Sequence, residues 1–104
     1  MAVDFETIKK IAVAYADEVR KVFNVDRVIL FGSYANGTAT ELSDVDIAFF
    51  FSNFGGKTRF DIGLQLLKLC RGYKAYFEPL AFETTEIERG NPFVKEILRT
   101  GQEI

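Results

Sequence analysis

Two aspartates, Asp44 and Asp46, stand two residues apart at the head of the run Asp44-Val45-Asp46-Ile47-Ala48-Phe49-Phe50-Phe51. On an extended strand that spacing puts both carboxylates on one face, with Val45, Ile47, Phe49 and Phe51 on the other. Aspartate is depleted in strands and an unpaired buried charge is costly, so Asp46 between Val45 and Ile47 calls for a bound cation. Hard divalent ions take carboxylate oxygens, and Mg²⁺ is commonly held by one or two carboxylates together with substrate phosphates. Upstream, Gly32-Ser33 follows the apolar run Val28-Ile29-Leu30-Phe31, where a strand gives way to a short helix. Free backbone N–H groups at such a junction, beside a serine hydroxyl, suit an anionic phosphate. Phosphate cradle and paired acids on adjoining strands make a nucleoside triphosphate site. The competing reading of Ser43-Asp44 is plain turn chemistry, and Gly32-Ser33 upstream weighs against it.

The elements that position these residues are readable in outline. From about residue 4 to 23, Phe5, Ile8, Ile11, Ala12, Tyr15, Val19, Val22 and Phe23 recur at helical spacing, with Asp4 as N-cap and Asn24 as a stop. This helix is expected to cover a sheet. Arg27 to Phe31 reads as a strand covered on both faces. Ser33 to Asn36 can form one turn, ended by Gly37, and Thr38 to Ser43 is polar loop. Asp44 to Ser52 is the second strand, followed by the turn-rich Asn53-Phe54-Gly55-Gly56-Lys57. Arg59 to Arg71 is a helix apolar almost all round, expected to be buried on more than one side, with Gly72 as its C′ residue. Lys74 to Phe82 is the third strand, placed at an edge, bulged or ending at Pro79. Within it Glu78 is the one acidic residue, hence the candidate third carboxylate; its other reading is an exposed strand-face glutamate. Thr84 to Gly101 is helical with a break at Asn91-Pro92. The fold class is α/β, in the order α-β-α-β-α-β-α, with three or four strands.

Bulk properties bound the function. The 104 residues predict one domain, 1–104, small but rich enough for a core at 48% hydrophobic with eleven Phe. A net charge of −2 and the lack of any basic run argue against strong nucleic-acid binding by this chain alone. The lone Cys70 forms no internal disulfide. No signal peptide or apolar span is present, so a cytoplasmic setting without membrane contact is expected. The absence of His excludes Ser-His and Cys-His nucleophilic mechanisms within the chain and His-ligated zinc.

The segment Gly32-Ser33-Tyr34-Ala35-Asn36-Gly37 through Ser43-Asp44-Val45-Asp46 resembles the signature of the minimal nucleotidyltransferases in the DNA polymerase β-like superfamily: Gly-Ser, Ala-Arg-Gly, then Ser-Asp-x-Asp. Gly-Ser and Asp-x-Asp at one fixed spacing arise by chance in roughly one such chain per thousand, which makes the match specific. Asn36 stands where the family usually carries Arg, which removes a cation from the phosphate side. The resemblance implies a small mixed sheet backed by helices and transfer of a nucleoside monophosphate, AMP from ATP, to a hydroxyl with Mg²⁺ or Mn²⁺. It further implies Asp44, Asp46 and Glu78 as catalytic and metal-binding residues, and Gly32, Ser33, Asn36 and Ser43 as nucleotide contacts. Larger relatives add an acceptor-binding domain. This chain shows none, so the acceptor is expected from another subunit. In the MntA-like antitoxin group that partner is a helical HEPN-domain protein, neutralised in some cases by adenylylation of a tyrosine. The alternatives are a weakly active or inactive nucleotide-binding module that neutralises or assembles with its partner by binding alone, and a small α/β domain whose acidic pair is structural.

Eleven Phe and the apolar third helix exceed what a small domain easily hides. An exposed apolar patch is therefore expected near Phe50, Phe51, Phe54 and Phe60, serving a partner or a homo-oligomer.

Overall fold

The structure, a computed structural model, describes residues 4–40 and 43–104. Glu41 and Leu42, within the loop expected from Thr38 to Ser43, lie outside the described residues. The elements in order are α1 (Phe5–Val22), β1 (Val25–Phe31), α2 (Ser33–Asn36), β2 (Val45–Phe51), α3 (Arg59–Leu69), β3 (Phe77–Glu83), α4 (Thr85–Glu88), α5 (Pro92–Thr100) and β4 (Gln102–Glu103). They form a mixed α/β fold whose four-stranded sheet runs β3-β2-β1-β4.

Helix α1 starts where expected. The Asp4 carboxylate accepts the Thr7 N–H at 2.9 Å, satisfying one of the first-turn amides that lack a helical partner. Its stripe Ile8, Ala12, Tyr15, Ala16 and Val19 is buried against the sheet. The Tyr15 ring packs edge-on to Phe49 and beside Phe77, and its hydroxyl donates to the Leu66 carbonyl at 2.6 Å. That carbonyl lies in the last turn of α3, where backbone acceptors have no helical partner. One side chain thus fills the core and ties α1 to α3.

The sheet separates two cores. Val28, Leu30, Val45, Ile47, Phe49, Phe51, Phe77 and Ala81 face α1 and α3. Ile29, Ala48, Phe50 and Phe82 face α5 through Val94 and Ile97. Strand β2 is covered on both faces, which accounts for its unbroken apolar run. It pairs antiparallel with β1 and parallel with β3, the parallel connection being carried by α3. Asn91 caps α5 by accepting from the Phe93 and Val94 N–H groups, with Pro92 in its first turn.

Strand β3 is the edge expected from Pro79. Val45 donates to the Tyr76 carbonyl and Thr84 donates to the Phe51 carbonyl, so the even-numbered residues of β3 bond toward β2. Pro79 therefore presents its missing N–H outward, where no ladder bond is lost. Further along the same edge, the Glu83 N–H is taken by Glu86 Oε2 at 2.7 Å. Glu86 is the buried charged residue among the described residues, neutralised by Arg59 at 2.7 Å. The Arg59 guanidinium also lies over the Phe54 and Phe82 rings. Edge pairing with a foreign strand is thereby discouraged.

Four expectations need correction. Strand β4 was not anticipated: after Gly101 the chain returns to pair with Ile29 and Leu30, and Arg27 pairs with Glu103 at 2.7 Å. Helix α3 ends at Leu69 with Cys70 as its cap, and Gly72 is not in the left-handed region. The helix buries only Ile62 and Leu66, because α1 and the sheet cover one side and no element among the described residues covers the other. Phe50 and Phe51 are core residues of the doubly covered β2, at 0% and 2% exposure. Of the expected patch, Phe60 is exposed at 72% and Phe54 is half-buried, and the apolar surface continues from Phe60 along the outer stripe of α3 through Leu64 and Leu67.

Candidate active site

The acidic residues gather at the end of the sheet where β1 finishes and where β2 and β3 begin. Pairing register does this. Asp46 stands opposite Phe31 of β1 on one side and opposite Glu78 of β3 on the other. By strand alternation Asp46 and Glu78 lie on the face of Ala48, Phe50, Leu80 and Phe82, beyond the part that α5 covers. Asp44 precedes the strand on the same side and is exposed.

Immediately after Phe31 the chain turns at Gly32, with φ 75° and ψ −152°. This region of backbone space is essentially closed to residues with a Cβ. A methyl group at Gly32 would also overlap Oδ2 of Asp46. The carboxylate thus rests against bare backbone, and only glycine permits both the turn and the contact. Ser33, Tyr34 and Ala35 follow in the first turn of α2, where backbone N–H groups lack helical partners. The Ser33 hydroxyl has no hydrogen-bond partner among the described residues. Gly37, at φ 81°, ends the turn.

Asp46 is half-buried, and its carboxyl is pushed up to about 6. Burial is the largest cause, followed by the charge of Glu78, a hydrogen bond to Glu78 and the charge of Asp44. The close contact is the Asp46–Glu78 pair, with Asp44 acting on it through charge. No Lys or Arg among the described residues is ion-paired with any of the three. Nor does any group of three or more acidic or thiol side chains among them form a ready-made cage for an ion. A partly buried, repelled, all-oxygen donor set without a protein cation is nevertheless the chemistry that a hard divalent ion relieves. The Asp46–Glu78 pair is the part of this set whose repulsion such an ion would relieve.

The other expected contacts sit differently. Asn36 Oδ1 accepts from the Thr38 N–H at 3.2 Å and from its hydroxyl at 2.6 Å, leaving only the Asn36 amide nitrogen for a ligand. Ser43 Oγ accepts the Thr40 N–H at 2.8 Å, which braces the loop ahead of Asp44. Reading the sequence sets Tyr76 on the strand face of Glu78 but does not bring Tyr34 and Tyr73 to this end of the sheet, where the structure places all three. Their one sequence signal is adjacency: Tyr34 follows Ser33, and Tyr76 lies two before Glu78.

Proton and metal should compete here. Between the ordinary aspartate value of 3.8 and about 6, folded Asp46 keeps a proton that the unfolded chain has lost. Metal-free stability therefore falls as pH rises through that window. The expected outcome is a Mg²⁺-induced rise in Tm that is small near pH 5 and fully developed near about pH 8. Calorimetric melts with and without Mg²⁺ check this, and a shift of equal size at both pH values would contradict it.

Comparison with known proteins bears on the family and the fold. The family described as Polymerase beta, Nucleotidyltransferase matches residues 6–104. Among solved structures, a candidate nucleotidyltransferase from Sulfolobus solfataricus, determined at 1.40 Å resolution, superposes with a TM-score of 0.64 at 27% identity. The match covers 77% of this chain and 70% of that one. No curated protein matches the sequence at a significant level. No helix among the described residues is long and apolar enough to cross a membrane. The chain belongs to the polymerase β nucleotidyltransferase family.

Proposed function

We propose that this protein transfers AMP from ATP to a hydroxyl, with Mg²⁺ or Mn²⁺, at the site formed by Gly32, Ser33, Asp44, Asp46 and Glu78. The observation that carries the reading is Asp46. It is a half-buried carboxylate held against Gly32 by β1 and against Glu78 by β3, and repelled by both neighbouring acids. Asp44, Asp46 and Glu78 would hold the metal ions. When bound, these ions supply neutralisation of the charge that builds on the α-phosphate and on the leaving group. The free amides of the first turn of α2 and the Ser33 hydroxyl hold the departing phosphates. The acceptor oxygen bonds to the α-phosphorus, the bond from that phosphorus to the bridging oxygen breaks, and pyrophosphate leaves. Where Glu78, exposed on the edge strand, is left free of metal, it takes the hydroxyl proton instead.

We further infer that the acceptor is a tyrosine on a helical HEPN-type partner and that the pair acts as antitoxin and toxin. The outer stripe of α3, Phe60, Leu64 and Leu67, supports association with a partner protein. A cytoplasmic setting belongs to the same reading. Asn36 favours a second reading, neutralisation by binding alone, because it brings no cation to the phosphates. Co-expression with a HEPN-type protein, followed by gel filtration and intact mass, separates the two. The expected result is a complex whose partner gains AMP when ATP and Mg²⁺ are added. A complex that forms without any mass gain supports the second reading, and two separate species remove the partner.

A further inference from the structure

The segment entering β3 brings a hydroxyl as well as a carboxylate to the acid site. The register that sets Glu78 opposite Asp46 continues one step back, where the Val45 N–H donates to the Tyr76 carbonyl at 2.7 Å. Tyr76 therefore stands beside Asp44 on a neighbouring chain segment, at the strand spacing of about 4.8 Å. Alternation along β3 gives it the face of Glu78. A concavity of about 380 Å³ at this corner is lined by Asp44, Tyr76 and Glu78, with Cys70 and Arg71 from the chain just past α3. Its size falls within the range of small-ligand sites.

The tyrosines differ in how they are held. Tyr15 donates its hydroxyl to the Leu66 carbonyl, Tyr73 donates to the Ala14 carbonyl at 3.1 Å, and Tyr34 is buried. Tyr76 is 83% exposed, the highest value of any large apolar side chain among the described residues. Its ring packs on no other ring, and no protein group among the described residues bonds its hydroxyl. That hydroxyl is thus accessible, uncommitted and on the same concavity as two of the acids. A group fixed next to a reacting centre reacts as though at very high concentration.

We propose that the protein also transfers AMP to its own Tyr76, which makes Tyr76 a modification site. This rests on the reading of the acid site as an AMP-transfer site. The phenolic oxygen of Tyr76 bonds to the α-phosphorus of ATP, the bond from that phosphorus to the bridging oxygen breaks, and pyrophosphate leaves. The phenolic proton passes to Glu78 when that carboxylate is free of metal, and otherwise to water. The product is a phosphodiester anion. Arg71, which has no ion pair among the described residues, supplies a cation on the same wall. The attached group fills the concavity beside Asp44, which limits the reaction to one AMP per chain.

The test is incubation of the purified chain with ATP and Mg²⁺ and no other acceptor, read by intact mass and peptide mapping. The expected result is a gain of one AMP per chain, mapped to Tyr76. The gain should vanish in Tyr76→Phe and in Asp44→Asn/Asp46→Asn. It should persist in Tyr73→Phe, which removes a hydroxyl from the same wall. A thermal melt confirms that each variant folds, and by calorimetry Tyr76→Phe should bind Mg²⁺–ATP within about twofold of wild type. A wild type that binds Mg²⁺–ATP and gains no AMP, or gains it on another residue, overturns the proposal and leaves the acid-site reading intact. A gain that survives in Tyr76→Phe overturns it as well. A wild type that binds no Mg²⁺–ATP removes both.

Discussion

The Asp44→Asn/Asp46→Asn double variant is expected to lose Mg²⁺-dependent ATP binding and to drop nucleotidyl transfer by on the order of a thousandfold. Metal ions contribute several kcal/mol of charge stabilisation to such a displacement, and each 1.36 kcal/mol is tenfold in rate. The same substitution should leave the metal-free fold slightly more stable at neutral pH. The physical reason is the sign of the Asp46 shift: the fold disfavours its charged form, so a neutral amide relieves the repulsion from Glu78. Solvent screening of this half-buried group keeps the gain to about 1 kcal/mol. Activity down with stability up is the mark of a site whose charges are gathered for a ligand. Calorimetry for binding and thermal melts for stability measure both. A double variant that binds Mg²⁺–ATP like wild type, or that melts lower than wild type in the absence of metal, assigns the pair a structural role.

Gly32→Ala should be nearly as damaging, for a different reason. Alanine meets both a backbone conformation that costs roughly 1–3 kcal/mol and an overlap with Oδ2 of Asp46. Relief of the overlap requires the carboxylate to move, which displaces it from Glu78. The expected result is a stability loss of about 2–3 kcal/mol together with a hundredfold or so loss of transfer, since small misplacements of reacting groups carry costs of that order. Gly37→Ala is the control. It has a similar positive φ, 81°, but open space around the added methyl. It should cost roughly 1 kcal/mol of stability and leave transfer rates at saturating ATP near wild type. Equal activity losses in the two variants would mean that strain in the α2 turn, and not the Asp46 contact, governs the site.

What could be read from the chain alone follows from how local each signal is. Helix α1 and strand β2 were legible because a cap, a stripe and an alternation lie within a few residues of one another. Asp44 and Asp46 were legible for the same reason. Glu78 could be nominated but not placed, since its position opposite Asp46 depends on the parallel register of β2 and β3. Strand β1 begins earlier than its apolar run because Asp26 sits at a register shift, accepting from the Ser52 and Thr84 hydroxyls. An aspartate in that position reads as a breaker, and only the tertiary contacts explain it. Strand β4 is two residues long and carries no pattern. Helix α3 is apolar almost all round, so its sequence could not say which stripe meets the sheet. The Phe50-Phe51 pair misled for a compositional reason: a count of aromatics does not reveal that one strand is buried on both faces.

Crystals grown with ATP and Mn²⁺ would test the central claim most directly, because the anomalous signal of manganese locates the ion without reference to activity. The account predicts a manganese peak within bonding distance, about 2.0–2.3 Å, of carboxylate oxygens from Asp46 and at least one of Asp44 and Glu78. It also predicts triphosphate density against the Gly32-Ser33 turn. A manganese ion bound elsewhere, or a triphosphate that leaves Asp46 paired with Glu78 and untouched, would contradict it.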